Sequence, residues 1–223
     1  MKLYAHRGWT KGPGENSLSF FERAAGCGFL DGVEFDIRKG RDGRPVVIHD
    51  PLTPADNPPT LDSVIKLLKP SGLELFAEIK EADIASAVID CLVDHGVTDR
   101  AVVFGFPPVV AELPWHEERP AKLGLIAHLP WQARKLALQY RPDVLMTGWD
   151  DRRWTKTAVR AVWPLFSLRR TGNRFDVPIA GGIARSAEEY RWLKSRGFDV
   201  AVADLDPGGD AKFADGSAVS HKA

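Results

Sequence analysis

Short apolar segments of strand character alternate along this chain with stretches of helical period, and that alternation points to a parallel α/β architecture. The strand candidates are KLYAHRG from Lys2, VEFDI from Val33, ELFAEIK from Glu74, AVVFGF from Ala101, KLGLIA from Lys122, DVLMTGW from Asp143, VPIA from Val177 and DVAVAD from Asp199. Between them, Ser17 to Ala25 reads as a helix capped by Asn16 or Ser17, with Phe20, Phe21 and Ala24 as its inward stripe. LDSVIKLL (Leu61 to Leu68) reads as a second helix capped by Thr60. Ala82 to His95 carries Ile84, Val88, Cys91 and Leu92 at helical spacing and stops at Gly96, which makes Cys91 a core residue. Trp131 to Tyr140 is a further helix. Ser186 and Glu189 form an S-x-x-E capping box that opens the helix AEEYRWLKSR, closed by Gly197. Asp42-Gly43 is a tight-turn signal, so the second strand is expected to continue as a hairpin through Val46, Val47 and Ile48.

A chain of 223 residues falls within the range of one barrel domain, which buries roughly 70–75% of its unfolded surface. The expected layout is one domain over 1–207 and a disordered tail over 208–223, with His221 uninvolved. Thirty basic and thirty acidic residues balance, which argues against nucleic acid or an anionic membrane as the main partner. Arg152-Arg153 and Arg169-Arg170 read as solvated charge. Two cysteines without a pairing pattern suggest a reducing compartment. The first strand starting at Lys2 leaves no room for a signal peptide, and no apolar run approaches the roughly 18 residues that span a bilayer. The expected location is cytoplasmic.

Five acidic and imidazole side chains fall at or just past the ends of the early strands: His6, Glu34, Asp36, His49 and Glu78. This is the inventory of a metal-assisted acid–base site. Residues two apart in a strand share a face, so Glu34 and Asp36 aim at one point while Val33, Phe35 and Ile37 face packing. The same period pairs Glu78 with Lys80, opposite Ala77 and Ile79. The hairpin returns His49 toward Glu34 and Asp36. Taken singly, such acids also serve as solvated loop residues or helix caps, and either histidine also fits a core position bonded to backbone. A buried carboxylate pair, however, is costly without a compensating cation or donors. All-oxygen ligands favour Mg²⁺ or Ca²⁺ over zinc, with Mn²⁺ also admissible.

Taken together, HRG at His6 to Gly8, GENS at Gly14 to Ser17, E-F-D at Glu34 to Asp36, RDG ahead of VVIHD, and AEIK at Ala77 to Lys80 resemble the glycerophosphodiester phosphodiesterase family, which belongs to the phosphatidylinositol phospholipase C-like phosphodiesterase superfamily. The order and spacing match along roughly the first eighty residues. The resemblance implies a single-domain (β/α)8 TIM barrel, a divalent cation held by Glu34, Asp36 and Glu78, and His6 and His49 as the proton-transferring pair. By the same resemblance His6 accepts and His49 donates, Arg7 and Lys80 contact phosphate, and Glu15 and Asn16 lie on the pocket wall. Glu15 equally suits a brace for the first loop. The implied activity is metal-dependent hydrolysis of glycerophosphodiesters to glycerol phosphate and an alcohol, on a small-molecule or lipid phosphodiester.

The chain departs from the family pattern in three places. The family's usual cap of several tens of residues is replaced by Pro51 to Thr60, stiffened by Pro51, Pro54, Pro58 and Pro59. An open pocket there favours longer, lipidic alcohols, and with them lysophospholipase D or sphingomyelinase D-like action through a cyclic phosphate. A W-T-V-N-like strand end is missing, with PLFSLRR (Pro164 to Arg170) and VPIAGGI (Val177 to Ile183) as the nearest candidates. The closing T-D-x-P is replaced by ADLDP, which keeps an acid at Asp204. Gly181-Gly182 suit either phosphate binding or a tight turn. Of the seven tryptophans, Trp115, Trp131 and Trp154 suit outer packing, and Trp149, beside Asp150, is the candidate exposed aromatic for an acyl chain or sugar. A phosphosugar isomerase or synthase barrel and an inactive phosphate-binding module are the rival classes.

Overall fold

The computed structural model describes residues 1–110, 113, 118–127, 132–149, 153–163, 176–206 and 213, with the side chain of residue 153 outside that description. Trp115, Trp131, Asp150, Arg152, the segment 164–175 and the tail from 207, Phe213 excepted, lie outside the described residues.

The strands are β1 (Lys2–Ala5), β2 (Gly32–Lys39), β3 (Pro45–Val47), β4 (Glu74–Ile79), β5 (Ala101–Gly105), β6 (Lys122–Ile126), β7 (Val144–Thr147), β8 (Ile179–Ala184) and β9 (Val200–Ala203). The helices are α1 (Leu18–Ala25), α2 (Leu61–Leu68), α3 (Ala85–Asp94), α4 (Pro107–Val110), α5 (Ala133–Tyr140), α6 (Arg153–Val162) and α7 (Ala187–Ser195). All the strands except β3 form a closed parallel barrel in the order β1, β9, β8, β7, β6, β5, β4, β2, sealed by β1–β2 pairing. β3 folds back antiparallel on β2 with Ile37 opposite Val47. Its turn carries Gly43 at φ +83°, a conformation that favours glycine.

Period-two alternation divides the apolar residues into two sets. Leu3, Ala5, Val33, Phe35, Ile37, Leu75, Ala77, Val103 and Ala201 face the helices. Tyr4, Phe76, Val102, Phe104, Val144, Val200 and Val202 fill the barrel interior. The next inward positions along β1, β4 and β9 are His6, Glu78 and Asp204, and β2 turns Glu34 and Asp36 inward beside them, so one plug of apolar side chains supports the polar residues above it.

Helix starts follow their caps. Ser17 accepts from the Phe20 N–H, Thr60 from Ser63 and Ser186 from Glu189. Asn16 is not the cap; it sits at φ +58° and turns its side chain toward the barrel. The reciprocal bond expected from Glu189 to Ser186 goes instead to the Arg185 N–H at 2.7 Å. The third helix starts later than its hydrophobic spacing suggests, because Asp83 at φ +63° breaks the turn and Ile84 becomes the flanking residue. Its inward stripe is Ala85, Val88 and Leu92, with Cys91 half-buried.

Gly181 and Gly182 lie inside β8 at a register shift opposite β9. A Cβ on Gly181 would fall 1.5 Å from the Thr147 carbonyl oxygen, so close strand approach excludes any side chain there.

Candidate active site

The local conformation of the first loop builds one wall of the site. Arg7 is held at φ +50° with its backbone N–H donating to Glu34 Oε2 at 2.9 Å. Its guanidinium is buried; Nη1 donates to Glu15 Oε1 at 2.7 Å, and Nε lies 3.5 Å from Asp36 Oδ2. Glu15 also accepts the Gly12 N–H at 2.8 Å, so it positions Arg7 and braces the loop at once. Asn16 Nδ2 donates to Asp36 Oδ2 at 2.8 Å, and Asn16 Oδ1 accepts the Asp36 N–H at 3.3 Å. Two non-glycine residues in the left-handed region beside one carboxylate pair are local strain, held in place by these bonds.

Glu34, Asp36 and Glu78 each present a carboxylate oxygen within 4.8 Å of the others. Adjacent parallel strands bring this about: Asp36 pairs in register with Glu78 across β2 and β4. Lys80, just beyond β4, reaches back so that Nζ is 2.9 Å from Asp36 Oδ1 and 2.7 Å from Glu78 Oε1. Burial and the neighbouring Asp36 and Glu78 charges drive the Glu34 carboxyl well above the ordinary range, outweighing the relief from His6 and the Arg7 N–H. Burial likewise raises Glu78, with Asp36 adding to it and Lys80 opposing. Burial also opposes ionisation of Asp36, yet Lys80, Arg7 and His49 hold its carboxyl below the usual range.

Each imidazole rests on a carboxylate through Nδ1. His6 Nδ1 lies 2.7 Å from Asp204 Oδ1, and His6 Nε2 lies 3.9 Å from Glu34 Oε2. Burial disfavours the charged ring, but the Asp204 hydrogen bond and the Glu34 and Asp204 charges prevail and raise its pKa above 6.5. Burial raises the Asp204 carboxyl; its bond and attraction to His6 and donation from the Lys11 N–H and Arg185 outweigh that and lower it to about 2. His49 is partly exposed, and its Nδ1 is 2.8 Å from Asp50 Oδ1. Arg38 Nε donates to the His49 carbonyl at 2.7 Å, fixing the end of the hairpin.

A cavity of about 540 Å³ opens over this cluster, lined by His6, Arg7, Glu34, Asp36, His49, Glu78 and Lys80. Trp149 lines it too, but the expectation of an exposed aromatic is corrected: the ring is 4% exposed, Nε1 donates to the Ile183 carbonyl at 3.0 Å, and Trp192 packs 5.5 Å away. Exposed rings on the cavity are Trp154, at 63%, and Phe106, at 42%. Sequence reasoning assigned no role to Asp204 or Asp50. Their signals were an acid at the end of the eighth barrel strand and an acid directly after His49.

Fold and cluster together define a parallel (β/α)8 barrel with an acid–imidazole cavity at the C-terminal mouth of its strands, where such barrels carry their chemistry. The chain belongs to the glycerophosphoryl diester phosphodiesterase family, whose profile matches residues 6–203. A glycerophosphodiester phosphodiesterase of Bacillus altitudinis is 45% identical over 49 residues, 22% of this chain and 20% of that protein. The match thus spans about a fifth of that curated relative. A phosphodiesterase of Oleispira antarctica, solved with the product sn-glycerol-3-phosphate, has a TM-score of 0.68 at 18% identity, covering 92% of this chain and 93% of that one. The glycerophosphodiester phosphodiesterase of Thermotoga maritima has a TM-score of 0.63 at 23% identity, covering 91% and 93%. At these identities the structural likeness establishes the shared barrel. No helix among the described residues is long and apolar enough to cross a membrane.

Proposed function

We propose that this protein is a divalent-cation-dependent phosphodiesterase that hydrolyses glycerophosphodiesters to glycerol phosphate and an alcohol. The observation that carries this reading is the meeting of Glu34, Asp36 and Glu78 oxygens within 4.8 Å, on the wall of the cavity that His6 and His49 also line. The residues fit a hard cation: the donors are all oxygen, and among the described residues the three acids are accompanied by the side-chain cations Arg7 and Lys80, with the His6 ring beside Glu34. Glu34, Asp36 and Glu78 would hold the ion, which supplies Lewis-acid polarisation of the phosphoryl group and offsets developing negative charge.

The remaining chemistry belongs to the chain. Asp204, kept ionised, accepts the His6 Nδ1–H and leaves Nε2 as the nitrogen that exchanges a proton. With Nδ1 committed to Asp204, His6 Nε2 is the proton acceptor for the attacking oxygen. His49, oriented by Asp50, donates to the departing alcohol. Arg7, steadied by Glu15, and Lys80 neutralise the other phosphate oxygens.

The test is phosphorus NMR of glycerophosphocholine turnover with chelator, then with Mg²⁺, Ca²⁺ or Mn²⁺ returned. Loss and recovery of a monoester product are expected, and a cyclic product would assign the nucleophile to a substrate hydroxyl. His6→Ala and His49→Ala are each expected to cut turnover at least about 10²-fold, the lower end of acid–base contributions. Undiminished hydrolysis in chelator would reject the metal-dependent reading.

A further inference from the structure

The cavity is divided in two by the order of strands around the barrel. β9, β1, β2 and β4 are consecutive neighbours, and they or the residues just past their ends supply Asp204, His6, Glu34, Asp36, Glu78 and Lys80. β5, β6 and β7 are also consecutive, and they present Phe104, Ile126 and Met146 to the same cavity. α6 completes this second side with Trp154, Ala158, Val159 and Val162, positions that repeat at helical spacing. The charged and apolar halves are therefore adjoining walls of one space.

From this segregation we infer that the apolar half is a subsite for a hydrocarbon chain of the substrate, so that the preferred diester is an acyl- or alkyl-bearing lysophospholipid. The inference rests on the phosphodiesterase reading for where the phosphate sits. A bare glycerol or other polyol on this side would bury hydroxyls against Phe104, Ile126, Met146 and Val159, with side-chain partners among the described residues confined to Thr147 and Thr155. A methylene chain loses no hydrogen bonds there and sheds water. The volume, about 540 Å³, falls in the range of about 300–1,000 Å³ typical of pockets that enclose a ligand much larger than glycerol phosphate. Phe106, 42% exposed, and Trp154, 63% exposed, stand on the same cavity, where a chain too long to be enclosed would emerge between aromatic faces.

The test separates binding from turnover. Calorimetric titration of the Mg²⁺-saturated protein with butyl, hexyl, octyl and decyl phosphate, each below its micellar concentration, is expected to show affinity rising roughly three- to fourfold per methylene until the subsite is filled. Val159→Asp should flatten that rise. Ala158→Trp should shorten the longest chain that still gains affinity; a melting profile for each variant verifies folding. Affinity independent of chain length, or no binding of the longer phosphates, overturns the subsite. In parallel, kcat/KM is compared between glycerophosphocholine and lysophosphatidylcholines with acyl chains of six to ten carbons. A protein that binds decyl phosphate tightly and cleaves no diester keeps the subsite and loses the proposed function. One that cleaves glycerophosphocholine without any chain-length effect on binding or turnover keeps the function and loses the subsite.

Discussion

His6 and Asp204, 198 positions apart in the chain, share a hydrogen bond of 2.7 Å just past the ends of β1 and β9, the first and last barrel strands, which pair in parallel. The carboxylate fixes which imidazole nitrogen is left to face Glu34, so a residue from the last barrel strand governs a group from the first.

Replacing Asp204 with Asn removes the negative charge and lets the amide present either an N–H or a carbonyl to Nδ1. The ring then samples the wrong tautomer. A fall in kcat of at least about 10²-fold is expected with KM little changed, read by steady-state kinetics on glycerophosphocholine. A change confined to KM would refute this positioning role.

The same pair predicts an acid limb of stability. Asp204 is depressed from 3.8 to about 2 in the folded protein, so its contribution is complete above about pH 4 and is lost as pH falls through about 2. The size is about 2 kcal/mol, counted once for the pair. His6 is raised, so its share is present below pH 6.5 and disappears as pH rises through its folded value. Urea unfolding from pH 2 to 8 should show both slopes in the wild type, and Asp204→Asn should flatten them; parallel curves would contradict the pairing.

Asn16 combines a strained backbone with two bonds to Asp36, at 2.8 and 3.3 Å. Asn16→Gly loses the bonds but relieves the backbone, whereas Asn16→Ala loses the bonds and keeps the strain. Both are expected to destabilise by about 1–3 kcal/mol, with alanine worse than glycine by about 1 kcal/mol. Chemical denaturation gives the ranking, and glycine worse than alanine would show that the left-handed conformation carries no strain.

Glu34→Gln should separate apo stability from ion binding. Glutamine keeps an oxygen for the Arg7 N–H and removes one of three crowded negative charges. The chelated variant is expected to melt at or above the chelated wild type, by on the order of 1 kcal/mol. Added Mg²⁺ or Ca²⁺ should raise the melting temperature of the wild type and leave the variant nearly unmoved. Equal cation-induced shifts in both proteins would remove Glu34 from the ion site.

Much of the site was legible in local pattern. The Glu34–Asp36 and Glu78–Lys80 faces follow from the two-residue period of a strand, and the return of His49 follows from the Asp42-Gly43 turn. Local pattern leaves the cap open between Asn16 and Ser17 because both short polar side chains suit it, and the proximity of Asp36 turns Asn16 to the barrel and leaves the cap to Ser17. Trp149 was read as exposed because its place after the sixth barrel strand says where its backbone lies, while the burial of the ring depends on Trp192 and the Ile183 carbonyl.

By itself the sequence determined the alternation of strands and helices, the caps, the hairpin and the faces on which the acids stand, because each depends on dihedral preferences and contacts within a few residues. Tertiary structure alone decided that Asp204 would hold His6, that Lys80 would bridge Asp36 and Glu78, and that charged and apolar strands would divide one cavity. Those arrangements depend on barrel closure and side-chain rotamers across distant strands, where hydrogen bonds of under 3 Å select among conformations that local periodicity leaves equivalent.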